Sequence, residues 1–286
     1  MSHEPSGRVV KIEIDGRVVE ARTGEFLLAV ARRAGIDIPA ICQHEAVDPA
    51  GNCRMCLVEI TKASWDGWSR LVTACLYPTE QDLIVKTHSA PVIEARTVLC
   101  DLWLARCPDS AYVQKLAAEF GIEKTSYQPA AVPTDQCILC GLCIRVCEKL
   151  GPAAIYTVNR GGRKKVAGPF EGPPPDCIGC AACAEVCPTS CITVAERDGT
   201  RTIWDKEFQL LACTTCGRTL VTIEEARYFG RKGGLGESYY QLCDRCKRLQ
   251  TAQQATKVAG LPLTVGGLGE ASGRPFRSPG SLTTSR

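Results

Sequence analysis

Nineteen cysteines in a chain of 286 residues constrain this fold more than any other feature. The count is odd and the chain long, whereas disulfide frameworks belong to short secreted chains. The start, MSHEPSGRVVKIEIDG, has neither an apolar export region nor a twin-arginine pair, so export on its own signal is not expected. A cysteine-rich cytoplasmic chain points to bound metal. With 45% hydrophobic and 23% charged residues the composition is globular. The length suits two or three small domains. No run approaches the ~18 apolar residues of a membrane span. The formal charge of +3 treats thiolates as neutral. Cysteines bound to metal are thiolates and would make the true balance more negative, so the basic formal charge is no nucleic-acid signal.

The cysteines fall into sets. Cys137, Cys140, Cys143 and Cys147 follow the spacing C-x2-C-x2-C-x3-C, and Cys177, Cys180, Cys183 and Cys187 repeat it, with Pro188 next. This is the spacing of bacterial two-[4Fe–4S] ferredoxins, in which the fourth cysteine of each run serves the other cluster. One cluster is therefore expected on Cys137, Cys140, Cys143 and Cys187, the other on Cys177, Cys180, Cys183 and Cys147. The first run ends in Cys147-Glu148 and lacks the usual proline. Upstream, Cys42, Cys53, Cys56 and Cys75 form a loop thiolate, a C-x2-C pair and a distant fourth thiolate. That is the logic of a plant-type [2Fe–2S] site with a lengthened first gap. Cys42-Gln43-His44 raises a Rieske alternative, but four cysteines suffice and His44 reads better as a polar loop residue. Near the C-terminus, Cys213, Cys216, Cys243 and Cys246 form two C-x2-C knuckles with 26 residues between them. They suggest a zinc-ribbon-like module around a hairpin-like TLVTI insert. Four thiolates also suit a third [4Fe–4S] cluster, and a metal-free fold is the remaining option.

Period and turn residues give an α+β chain. Residues 1–88 are expected to form a [2Fe–2S] ferredoxin-type domain: RVVKIEI, an Asp15-Gly16 turn and RVVEA make a hairpin, and Thr23 caps a helix over EFLLAVARRAG. Residues 89–130 are a helical linker, with a second helix opened by Asp109 or Ser110 and closed by Gly121, then the linker SYQPAAVPTDQ. Residues 131–205 hold the two-[4Fe–4S] domain, with ITVAER and RTIWDK as strands. Residues 206–250 form the knuckle module, and 251–286 a flexible tail. GRKGGLGES reads as a loop, because no strand–turn–helix context makes it a phosphate cradle.

CQHEAVDPAGNCRMCLVEI closely resembles the N-terminal [2Fe–2S] region of the large iron–sulfur subunit of complex I. It is also similar to the diaphorase small subunit of NAD-linked nickel–iron hydrogenases and to the N-termini of some formate dehydrogenases. QCILCGLCIRVCE and the NRGG turn continue the resemblance, which covers residue 8 to about 195. It implies a β-grasp ferredoxin fold followed by a two-cluster ferredoxin. The chain departs from that family in three ways. The His-x3-Cys-x2-Cys-x5-Cys site between the domains is missing: RTVLCDLWLARCPDSAY offers only Cys100 and Cys107, with His88 apart, so both cysteines are expected to be buried apolar residues. The chain is too short for the molybdopterin-type domain of larger relatives. The C-terminal knuckles are additional. Cys191 is expected to be an inert thiol.

Among three histidines, His3, His44 and His88, no hydrolytic constellation appears, and neither a flavin site nor an open metal site is evident. The expectation is a subunit with no catalytic site of its own. It would relay single electrons between a flavin/NAD(P)H- or ferredoxin-linked subunit and a catalytic subunit such as a hydrogenase or formate dehydrogenase. The partners would be a flavoprotein and a catalytic metal subunit, not nucleic acid. The alternative is a cluster- and zinc-containing redox sensor or nucleic-acid-binding module, supported only by the short basic runs at 163–165 and 247–248.

Overall fold

The computed structural model describes residues 7–128 and 136–259. Alternating apolar positions make β1 (Val9–Ile14) and β2 (Arg17–Arg22), joined at Asp15-Gly16, where both residues have positive φ (48° and 80°). That is the left-handed geometry of a two-residue hairpin turn. Three further strands, β3 (Leu57–Thr61), β4 (Arg70–Thr73) and β5 (Ile84–Lys86), complete a sheet in the order β2-β1-β5-β3-β4. β1 and β5 are parallel and the other pairs antiparallel. Helix α1 (Leu27–Arg33) closes its core, in which Ile14, Leu27, Val30, Val58, Ile60, Leu83 and Val85 are buried. The helix is shorter than its sequence suggested. Thr23 does not cap it, because its hydroxyl donates to the Arg8 carbonyl and prolongs the β1–β2 pairing.

Helices α2 (Ala90–Arg106) and α3 (Ala111–Glu119) follow, with Ser110 preceding α3 and Gly121 at φ +72° ending it. Val92, Arg96, Cys100, Trp103 and Leu104 line the buried face of α2. Part of the expected linker, residues 129–135, lies outside the described residues. Next come α4 (Leu142–Leu150), the small hairpin of β6 (Tyr156–Val158) and β7 (Lys165–Ala167), and the single turn α5 (Ala182–Glu185).

The last sheet crosses the boundary drawn at 205/206. Strands β8 (Val194–Arg197), β9 (Thr200–Ile203), β10 (Lys206–Ala212) and β11 (Thr219–Thr222) run in the order β11-β10-β9-β8. RTIWDK is therefore not one strand: Trp204 and Asp205 (φ 54° and 57°) turn the chain between β9 and β10. Nor is TLVTI a hairpin. It is β11 leading into α6 (Ile223–Gly233). Thr222 Oγ1 accepts from the Glu225 amide at 3.0 Å, the side-chain half of a capping pattern. Of the glycine-rich segment expected as a loop, residues 230–233 instead complete α6, with Gly234 at φ +65° as its left-handed cap. Helix α7 (Asp244–Ala259) makes residues 251–259 helical rather than tail. The rest of the expected tail, 260–286, lies outside the described residues. Among the described residues no helix is long and apolar enough to cross a membrane.

Candidate metal centres

Cys42, Cys53, Cys56 and Cys75 are all buried, at 1–3% exposure. They come from the loop after α1, the loop before β3 and the turn after β4. The Cys53 amide donates to Cys42 Sγ at 3.4 Å. The thiols associate in two pairs, Cys42 with Cys53 and Cys56 with Cys75. The thiol hydrogen bond from Cys53, then the amides of Cys53 and Asn52 and the charge of Arg145, bring Cys42 down to about 5, against the cost of burial. Its partner Cys53 is pushed up as the donor of that bond. Cys56 is lowered to about 7, chiefly by the hydrogen bond from Cys75. Arg96, 2% exposed, reaches from α2 to hold this loop, donating to Met55 O at 3.0 Å and Leu57 O at 2.7 Å. His44 turns into its own loop, where Nδ1 accepts from the Ala46 amide at 3.1 Å. His88 Nδ1 sits 2.6 Å from Thr87 Oγ1.

The repeated loops share a backbone pattern. Leu139 and Gly141 in the first, and Gly179 and Ala181 in the second, all have φ between 56° and 72°. Two left-handed residues per loop curl the chain so that amides point inward at sulfur. The Leu139 amide donates to Cys137 Sγ at 3.4 Å. The amides of Leu142 and Gly179 act on Cys140 and Cys177 in the same sense. Cys143 and Cys183 are pushed up to about 12 by burial. Protonated apolar-site thiols of this kind lose their protons on binding a metal.

Two cavities open behind these loops. The first is lined by Cys137, Cys140, Cys143 and Cys187, the second by Cys177, Cys180, Cys183 and Cys147. Each lining thus combines three cysteines of one run with the fourth of the other. Trp204 borders both and donates Nε1–H to Cys183 Sγ at 3.4 Å. The Ala154 amide donates to Cys147 Sγ at 3.2 Å.

One cysteine lies where its spacing offers no reason to expect it. Cys191 is half-buried, lines the first cavity and places Sγ 3.5 Å from Cys187 Sγ. It is a fifth sulfur at that site rather than a core residue. Cys100 and Cys107 are 0% and 2% exposed, within an apolar cluster that includes Trp103, Leu104 and Val113. Burial raises the Cys100 thiol to about 12.

At the C-terminal end of the described residues, the sulfurs of Cys213, Cys216, Cys243 and Cys246 all lie within 4.8 Å of one another, a group that could hold a metal. The Cys243 amide donates to Cys213 Sγ and the Cys246 amide to Cys243 Sγ, both at 3.4 Å. Cys213 is lowered to about 6, first by the Cys243 amide. Among the described residues Leu220 and Leu242 are the hydrophobic side chains packed against this group, so the cysteines form most of its small core.

Sulfurs grouped in fours, all buried in the first set and buried or half-buried in the two repeated runs, with backbone amides aimed at them, fit iron–sulfur ligation. The comparisons with known proteins agree. Residues 7–90 match the family described as a 2Fe-2S iron-sulfur cluster binding domain. Residues 130–194 match the 4Fe-4S dicluster domain. An NADH-quinone oxidoreductase subunit of Rhizobium meliloti (strain 1021) is 30% identical over 56% of this chain and 21% of its own. The mitochondrial NADH-ubiquinone oxidoreductase 78 kDa subunit of Neurospora crassa is 37% identical over 35% of this chain and 13% of its own. NADP-reducing hydrogenase subunit HndD of Solidesulfovibrio fructosivorans is 30% identical over 56% of this chain and 31% of its own. A solved NAD+-reducing [NiFe]-hydrogenase aligns more loosely, with a TM-score of 0.48 and 25% identity over 56% of this chain and 75% of that one. The chain thus spans a third or less of the length of the curated relatives it matches.

Proposed function

We propose that this chain is an iron–sulfur electron-transfer subunit of an oxidoreductase complex. It stands between a flavin/NAD(P)H- or ferredoxin-linked subunit and a catalytic metal subunit, hydrogenase- or formate dehydrogenase-like, in the reducing cytoplasm. The observation that carries this reading is the three-plus-one exchange of cysteines between the two cavities. We assign one [4Fe–4S] cluster to Cys137, Cys140, Cys143 and Cys187 and the other to Cys177, Cys180, Cys183 and Cys147. The [2Fe–2S] cluster falls to Cys42, Cys53, Cys56 and Cys75, whose two thiol pairs suit two irons with two thiolates each. Bound, such clusters supply one-electron uptake and release with little geometric change.

The chain contributes the environment. Burial excludes water from the four [2Fe–2S] sulfurs, inward-facing amides and the Trp204 indole stabilise negative charge on the cysteine sulfurs, and Arg96 brings a buried cation to the [2Fe–2S] loop. The C-terminal cysteines serve structure. We assign them zinc, because four sulfurs with scarcely any other core need a metal that closes the site without redox demands. The chain acts as a carrier, with turnover belonging to its partners.

Anaerobic purification with metal analysis and EPR tests the assignment. About ten irons and one zinc per chain are expected, with one [2Fe–2S] and two [4Fe–4S] signals on reduction. About fourteen irons would replace zinc by a third cubane, and colourless, iron-poor protein would overturn the reading. Co-purification of a flavoprotein is the expected partner result.

A further inference from the structure

The two cysteine regions are tied to each other by their own loops. Arg145 sits on α4 between Cys143 and Cys147, yet its guanidinium serves the other region: Nη1 donates to Asp48 O and Nη2 to Cys42 O, each at 2.6 Å. In the opposite direction Asn52, beside Cys53, donates Nδ2 to Cys140 O at 3.1 Å. Gly141 makes room for that contact, since a Cβ there would lie 2.6 Å from Asn52 Nδ2. Each loop thus holds a cysteine carbonyl of the other. Cys42, Cys53, Cys140 and Cys143 all belong to one buried apolar cluster.

Arg145 has a donor to spare. Its Nε is buried without a hydrogen-bond partner among the described residues, a costly state unless an acceptor arrives. Its charge also lies beside both sites, since the guanidinium is hydrogen-bonded to the Cys42 carbonyl and is carried by the helix that holds Cys143. A fixed cation between two sites favours whichever state of each carries more negative charge, which for an iron–sulfur centre is the reduced one.

We propose that Arg145 is the coupling residue between the [2Fe–2S] site and the first [4Fe–4S] site. With Asn52 it clasps the Cys42–Cys53 loop to the Cys137–Cys143 loop, and its charge favours reduction at both. This rests on the cluster assignments above. It is a positioning role. One electron leaving one site and arriving at the other leaves the total charge around Arg145 unchanged, so the guanidinium neither moves nor gives up a proton.

The test uses the full chain, loaded anaerobically, as wild type, Arg145→Gln, Arg145→Lys and Asn52→Ala. Iron content is measured first, then EPR redox titrations, then amide exchange of residues 43–52 in metal-free protein. Arg145→Gln is expected to keep its iron but lose about tenfold in the reduced-to-oxidised ratio of both centres at fixed poise, about 59 mV for a one-electron couple. Arg145→Lys should recover the potentials without recovering slow exchange, because the charge survives and the two-pronged contact does not. Asn52→Ala should speed exchange and leave the potentials in place. Unchanged potentials in Arg145→Gln would overturn the proposal, as would a shift that Asn52→Ala reproduces and Arg145→Lys fails to correct. If Arg145→Gln loses iron, retention by Arg145→Lys supports the charge role, and loss by both overturns it. Iron-free wild type would sink the cluster assignments instead, while the exchange comparison would still decide the clasp.

Discussion

Gly179 stands between Cys177 and Cys180 at φ +72°, and a Cβ there would lie 2.7 Å from Cγ of Phe208, a ring only 1% exposed. Both the backbone and the neighbouring ring demand glycine. Gly179→Ala should destabilise the chain by about 2 kcal/mol, read as a lowered thermal midpoint, because neither strain nor overlap has a soft neighbour to absorb it. Arg96 is a second residue whose role is positional. Its two donors satisfy carbonyls flanking Cys56, so Arg96→Leu should cost about 2–4 kcal/mol in metal-free protein by urea unfolding. Glu25 shows the acid side. The Arg33 guanidinium, aided by the Arg22 amide, holds its carboxyl below the usual range, against a smaller opposing effect of burial. The ionised form is therefore the one folding prefers. Its contribution is complete above the ordinary glutamate range and disappears as pH falls through the lowered folded value. Glu25→Gln should cost about 0.5 kcal/mol at pH 7, since the 55%-exposed Arg33 is screened by solvent, and the gap to wild type should close below about pH 4. The cysteine sets stand out in the sequence because ligation demands a fixed spacing, whereas Cys191, which lines the first cavity, has no such spacing. Arg96, Asn52 and Arg145 were not, because each acts on a partner dozens of residues away and leaves no local pattern.

At the scale of elements, two turns obey familiar chemistry and one does not. Asp15-Gly16 and Asp198-Gly199 place aspartate and glycine at positive φ, as hairpins prefer. Between β9 and β10 the same conformation falls on Trp204 and Asp205, and a bulky side chain there is uncommon. The turn places the indole where Nε1–H reaches Cys183 and the ring borders both cavities. Trp204→Phe keeps the ring and removes the donor. The second [4Fe–4S] centre should then become harder to reduce, a few-fold in its reduced fraction at fixed poise, while the first changes less; EPR titration measures both. Trp-Asp carries no turn signature, so RTIWDK read as continuous strand. The β1–β2 hairpin and the α2 and α3 helices were legible, because Asp-Gly and a 3.6-residue apolar period declare themselves locally. The TLVTI segment misled because a strand followed by a capped helix looks apolar throughout, and Thr222, which also donates to Ile178 O at 2.5 Å, showed its double role only in three dimensions.

For the whole molecule, the distribution of apolar packing sets what metal removal should do. The N-terminal sheet has its own core of aliphatic residues, whereas the C-terminal group has four cysteines and two leucines. If the C-terminal cysteines hold the zinc assigned to them, stripping it with a strong chelator, or Cys243→Ser, should raise amide exchange by at least about tenfold across residues 213–218 and 241–259 while β1–β5 exchange as before. Equal loosening of both regions would show that the metal supports more than its own module. A second feature at this scale is strand β10, which pairs with β9 on one side and β11 on the other. Scissors guided by the cysteine motifs would cut at residue 205 and expect two separable pieces. That cut would strip β9 of a neighbour along Lys206–Gln209 and leave its amides and carbonyls facing solvent, an open seam inviting self-association. Anyone wishing to isolate the ferredoxin half should therefore carry the chain through Ala212 at least.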